Sequence, residues 1–278
     1  MNSTHEPNTI SNIKVLISIF GVCASIFLFT IGQGATNPIL PLLVQNLGHT
    51  AAIAGFAVGI FGAGRFITNL PSGILAQKIG RKPILIIGPL IASVGYFITS
   101  YVDSIQLILL SRLITGIGGG MHFVGASIYL RDISSLNNRG RILSLQTISI
   151  LIGQTIGPII GGYIGELYGF TSPFIFASIS LVIAIVLIIT TVIEPSNINQ
   201  NLNQANDSKN KKNPGIFQLL YLFIKSGLLP IGLMTMSQFF HRSGGRFTIA
   251  PLLIQNKGLT TSNIGCLLYT SPSPRDRG

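Results

Sequence analysis

The side chains able to do chemistry in this chain are few, and most of them stand inside long apolar stretches. Gln33 and Asn37 are four residues apart, which places them on one face of a helix. Arg65 interrupts "GAGRFITNLP", and Arg112 opens "SRLITGIGGG". Gln146 and Gln154 share the stretch 144–165, and Gln238, His241 and Arg242 stand close together further on. Amides and guanidinium groups in such surroundings hydrogen-bond or ion-pair with a small solute. They do not supply a nucleophile or a proton-transfer pair. The acids Asp103, Asp132, Glu166 and Glu194 all fall at the ends of apolar runs, so no carboxylate sits deep enough to carry a proton across a membrane. A membrane enzyme needs converging Asp, Glu and His groups, and none converge here. His122 and His241 read equally well as packing residues or as ligands. Cys23 and Cys266 are isolated, so neither a disulfide framework nor a metal site is expected, and no cofactor.

The elements that must hold these groups follow from the charge pattern. Of the 278 residues, 47% are hydrophobic and 9% charged, against about 25% charged in soluble domains. Residues 15–64 contain no Lys, Arg, Asp or Glu, and neither do 83–102, 113–130, 142–165 and 167–193. A helix crosses a bilayer with about 20 apolar residues, and no ten-residue alternation suggests a β-barrel. Seven spanning helices are expected, over 15–45, 51–77, 83–101, 105–130, 141–164, 171–193 and 227–256. The N-terminal run is too long for a cleaved signal and is read as a retained span. Lys78, Arg81 and Lys82 follow span two, Arg131, Arg139 and Arg141 follow span four, and Lys209, Lys211, Lys212 and Lys225 follow span six. The other loops hold no Lys or Arg. The positive-inside rule then puts the even loops and the N-terminus in the cytoplasm, in an inner or plasma membrane. It accounts for most of the net charge of +11 without nucleic acid as a partner.

Residues 195–215, with seven Asn and three Lys, read as a solvated linker after a six-helix half, 1–194. "IFQLLYLFIKSG" (216–227) reads as an amphipathic stretch on the membrane face or as the first turns of span seven. "ILPLLVQNLG" (39–48) then recurs as "IAPLLIQNKG" (249–258). Over 31–55 against 241–265, ten of 25 positions are identical, including Gly34/Gly244, Pro41/Pro251, Gln45/Gln255 and Gly55/Gly265. Span seven is therefore a second copy of span one, running the same way, as in transporters built from parallel repeats. Residues 216–265 begin a second half. The stretch 266–278 reads as a non-native tail outside the fold, because a polar, Pro-containing sequence stands where an eighth span is due.

"GILAQKIGRKPIL" (73–85) lies in the turn between spans two and three, where Gly73 and Gly80 allow a tight turn and close helix approach. With Arg81 and Lys82, it resembles the signature loop of the major facilitator superfamily, Gln77 standing where that loop has an acid. Asp132 resembles the acid that pairs with the loop's Arg. Arg112 and Gly116 are similar to the Arg-x-x-x-Gly motif of the family's fourth helix. Gly153, Gly157, Pro158, Gly161 and Gly162 resemble the fifth-helix motif of its exporters, chiefly proton-coupled drug antiporters. The resemblance implies an all-α membrane fold of twelve helices, of which the chain holds the first half and helix 7. It implies a secondary transporter, monomeric when whole, that moves small molecules by alternating access. Gln33, Asn37, Arg112, Gln146, Gln154, Gln238 and Arg242 are then the expected substrate contacts. Gly73, Gln77, Gly80, Arg81, Lys82, Asp132 and the five residues of the fifth-helix motif form the conformational switch. Proton-coupled efflux of amphipathic compounds is the first expectation, and uptake of an organic anion or a sugar the alternative. The family's fifth helix meets the eighth across the halves, so the glycine face is expected to present an unfilled groove here.

Overall fold

A computed structural model describes residues 6–194 and 248–256, with residues 225, 230, 234 and 237 singly. The described chain forms α1 (Glu6–Thr36), α2 (Ile39–Asn46), α3 (Ala51–Ile79), α4 (Arg81–Tyr101), α5 (Ile105–Asp132), α6 (Arg139–Tyr168), α7 (Ser172–Thr191) and α8 (Ala250–Asn256). Six stretches among these are long and apolar enough to cross a membrane. The fold is an all-α bundle, as expected.

Span one differs from the expected single helix. It breaks at Asn37–Pro38 into α1 and α2, because proline has no N–H to donate and its ring disfavours helical geometry in the residue before it. The chain barely changes course, since Asn37 N still donates to the Gln33 carbonyl at 3.0 Å. The turn between α3 and α4 is shorter than expected, a single residue, while α5 and α6 run past their expected ends. The added turns carry Arg131, Asp132, Arg139 and Glu166, so these helices continue past the apolar stretch into their charged ends.

Packing follows the distribution of small residues. α5 lies between α3 and α4; α1 lies between α6 and α7; α4 and α7 join the two groups. Where α4 meets α5, a Cβ on Gly88 would stand 2.7 Å from His122 N, and one on Gly118 2.5 Å from Ala92 N. Backbones come this close only where side chains are missing, which is how helices gain contact in lipid, where apolar burial by itself gives no drive. Two larger apolar clusters fill most of the interior, beside a small third one of Ala76, Ile84 and Met121. Phe29, Ile39, Leu42, Tyr96, Ile108 and Phe174 occupy one end, and Val22, Ile26, Tyr129, Leu130 and Ile188 the end that carries the basic turns. Phe20, Phe66, Phe97 and Val186 face outward, as suits a surface solvated by acyl chains.

The repeat is visible in the fold. Residues 250–256 of the second copy are helical, as are their counterparts 40–46 in α2. Leu252 of α8 is buried in the same cluster as Leu40, Leu42 and Leu43 of α2. The two copies pack directly on each other.

Candidate functional site

The charged turn is built around Gly80, whose φ of 100° and ψ of 165° no side-chain-bearing residue readily adopts. A Cβ there would also stand 2.9 Å from Glu194 Oε1. That carboxylate reaches across from the end of α7. Glu194 Oε1 accepts from Arg81 N at 2.7 Å and Oε2 from Lys82 N at 2.9 Å. Both are N–H groups of the first turn of α4, which have no partner within the helix, and the negative charge meets the positive end of the helix dipole. Arg81 Nε donates to Asp132 Oδ2 at 2.9 Å, and Lys82 Nζ to the Ile189 carbonyl at 3.0 Å. Tyr129 Oη donates to the Ile193 carbonyl at 2.8 Å. The start of α4 and the ends of α5 and α7 are thereby tied into one unit. Gln77 is exposed and makes no hydrogen bond among the described residues. Gly73 lies within α3, and a Cβ there would meet nothing within 4 Å. It lies outside the turn, which corrects that expectation, and among the described residues no helix approaches it closely.

The polar residues within the spans do not share one open surface. Arg112 is 1% exposed. Its guanidinium carbon lies 5.2 Å from the Tyr96 ring centre and 5.1 Å from that of Phe174, and Nε and Nη2 have no hydrogen-bond partner among the described residues. It points into the bundle. Gln33 is buried likewise, with Oε1 unpaired among the described residues. Gln146 Nε2 donates to Ser127 Oγ at 2.8 Å and ties α6 to α5. Gln154 is half-buried and has its own partner. Asn37 is half-buried at the break before Pro38. Gln238, His241 and Arg242 lie outside the described residues.

The glycine face of α6 is covered. A Cβ on Gly157 would stand 2.5 Å from the Ile31 carbonyl oxygen, one on Gly153 2.9 Å from Ile31 N, and one on Gly161 within the backbone of Ala35. Gly162 is buried as well. Pro158 abuts Gly34, since a Cβ on Gly34 would lie 3.1 Å from Pro158 Cδ. The partner is thus α1, and the expected unfilled groove along these glycines is absent because α1 fills it. A groove of about 450 Å³ opens elsewhere between the two helices, lined by Phe20, Cys23, Phe27, Leu145, Ile148 and Ile152.

Sequence reasoning missed an aromatic group in the middle of the bundle. Phe29 stacks on His122 at 5.3 Å and meets Phe123 edge-on at 5.2 Å. His122 Nε2 lies 3.5 Å from Ser25 Oγ. The group joins α1 to α5, and contacts between distant helices leave no spacing signal along the chain. The role of Glu194 was missed for the same reason.

Six long apolar helices packed into one bundle define a multi-pass helical membrane protein. The chain belongs to the Major Facilitator Superfamily, whose profile matches residues 22–271. Quinolone resistance protein NorA of Staphylococcus aureus is 32% identical over 123 residues, 44% of this chain and 32% of the relative. Multidrug resistance protein MdtL of Shewanella sp. (strain ANA-3) is 34% identical over 106 residues, 38% of this chain and 27% of the relative. The matched part is thus about a third or less of either relative's length. Among solved structures, the D-xylose-proton symporter superposes with a TM-score of 0.66 at 16% identity, over 92% of this chain and 65% of the other. The human organic anion transporter MFSD10 (TETRAN) does so at 0.65 and 17%, over 92% and 69%. These structures share the fold.

Proposed function

We propose that the complete protein is a secondary transporter that exports small amphipathic compounds by alternating access, with protons as the coupling ion and their carrier in the second half, since the acids of the first half all stand at helix ends. The observation that carries most weight is the packing of α8 on α2, two copies of one phrase in contact. Paired repeats that meet at one end give a membrane protein two equivalent bodies to rock about a central site. The resistance proteins among the relatives support export. In this reading residues 1–194 form the first half, 195–215 the cytoplasmic connection and 216–265 the start of the second half. The protein resides in the plasma membrane as a monomer, N-terminus inside. The tied turn of Gly80, Arg81, Lys82, Asp132 and Glu194 holds the first half rigid while the halves move. Gln33 and Arg112 act from within the bundle rather than on its open face.

A second reading is uptake of an organic anion or a sugar. It is favoured by Arg65 and Arg112 inside spans that hold no Asp or Glu away from their ends. The test is accumulation of a fluorescent amphipathic dye in energised cells expressing the complete protein. Export predicts lower accumulation that a protonophore restores. Accumulation above the empty-vector control supports uptake instead, and no change in either direction sinks both.

A further inference from the structure

Arg65 differs from Arg112 in what surrounds it. α3 crosses α5 at glycines: a Cβ on Gly64 would lie 2.5 Å from the Leu113 carbonyl oxygen, and one on Gly120 3.3 Å from Arg65 Cα. With no side chain between the two backbones, the Arg65 side chain lies directly along α5. Its guanidinium carbon stands 4.6 Å over the ring centre of Phe123 and 5.9 Å from that of Phe61. Phe123 in turn packs edge-on against Phe29, so the aromatic floor is fixed from α1, α3 and α5 together. Arg65 is half-buried rather than sealed. The ion pair Arg81–Asp132 lies at the charged turn, and the acids of the spans, Asp132 and Glu166, stand at helix ends, away from the middle of α3 where Arg65 lies.

A guanidinium held in an apolar layer needs an acceptor for its N–H groups, and aromatic faces satisfy its charge but not its five donors. An intramembrane arginine of this kind faces a solute path. We propose that Arg65, Phe61 and Phe123 form a subsite for a solute carrying a planar anionic group, a carboxylate above all, next to an aromatic ring. The carboxylate meets the guanidinium fork through two parallel hydrogen bonds, which a point charge cannot offer. The ring of the solute lies against Phe123 and Phe61 in offset or edge-on contact. This assignment rests on the transporter reading above and narrows its substrate class.

The experiment measures binding to the complete protein in lipid nanodiscs, with 2-naphthoate, 2-naphthylmethanol and 2-naphthylmethylammonium as probes. The wild type should bind naphthoate about tenfold or more tightly than the alcohol, the scale of a charge-assisted pair. Arg65→Gln should abolish that preference and leave alcohol binding unchanged. Arg65→Lys should retain only part of it. Phe123→Leu should weaken naphthoate and the alcohol alike. Equal binding of the three probes by the wild type, which needs no variant to fold, overturns the proposal, and so does a naphthoate preference that survives Arg65→Gln. Transport in proteoliposomes separates the two claims. A protein that binds naphthoate selectively but moves no solute removes the transporter reading alone. One that moves solutes without any naphthoate preference removes the subsite alone.

Discussion

Gly34 of α1 and Gly157 of α6 pass so closely that a Cβ on Gly157 would lie 2.8 Å from the Gly34 Cα. The helices touch through their backbones at that point, and Pro158 sits in the contact. Gly157→Val in the complete protein should destabilise it by about 1–3 kcal/mol through overpacking against backbone that cannot move aside. Gly73→Ala, where nothing lies within 4 Å, should instead be neutral or stabilising by about 0.5–1 kcal/mol. Thermal unfolding in detergent distinguishes the two, and equal midpoints would mean that the α1–α6 crossing is looser than described.

Glu194 should matter through its two oxygens. Glu194→Ala leaves the first N–H groups of α4 without their carboxylate and should cost about 0.5–2 kcal/mol, the range for a lost helix cap. Glu194→Gln keeps one acceptor and should lie between. Protease cleavage at the α3–α4 turn should rise in the order wild type, Gln, Ala. An unchanged cleavage rate in the alanine variant would remove Glu194 from the switch.

The pair Arg81–Asp132 is shielded more on one side than the other, with side-chain exposures of 10% and 28%. A double-mutant cycle with Arg81→Ala and Asp132→Ala should give a coupling of about 1 kcal/mol, the upper end for partly exposed pairs. A coupling indistinguishable from zero would leave Glu194 as the main tie.

Arg112 gives opposite expectations for stability and activity. Its charge is sealed between Tyr96 and Phe174 without a described anion. Replacing such a group by an apolar one of similar length is often neutral or stabilising by about 1–4 kcal/mol. Arg112→Met should therefore leave the unfolding midpoint unchanged or raise it, while transport by the complete protein is lost. Transport at the wild-type rate would make Arg112 a structural residue only.

Orientation is checked by reporters fused at 101–104 and within 195–215. The first should report the outside and the second the cytoplasm, and the reverse pattern would overturn the assignment from Lys and Arg counts.

The spans were legible because a bilayer tolerates few charges, so runs such as 142–165 announce themselves. The period of Gly153, Gly157 and Gly161 was equally legible as a place where another helix comes close. Which helix comes close was not, since a four-residue period describes one surface and carries nothing about its mate. The break at Asn37–Pro38 was written in Pro38, but unbroken hydropathy across 15–45 outweighed it. Glu194 binds backbone 113 residues away, and its reach exists only once α4 and α7 are packed. The burial of Arg112 likewise depends on rings contributed by α4 and α7, which no local pattern around residue 112 encodes.

Ser18, near the beginning of the membrane-spanning part of α1, donates to the Thr191 carbonyl at 3.0 Å, and its hydroxyl accepts from Ile193 N at 3.4 Å. The entry and exit of the six-span unit are therefore neighbours on one side of the bundle. With an even number of crossings, a copied unit can be joined tail to head without reversing in the membrane and with little added chain. Such adjacency suits a six-span unit to being copied in tandem, and the likeness of 39–48 to 249–258 is what such a copy would leave.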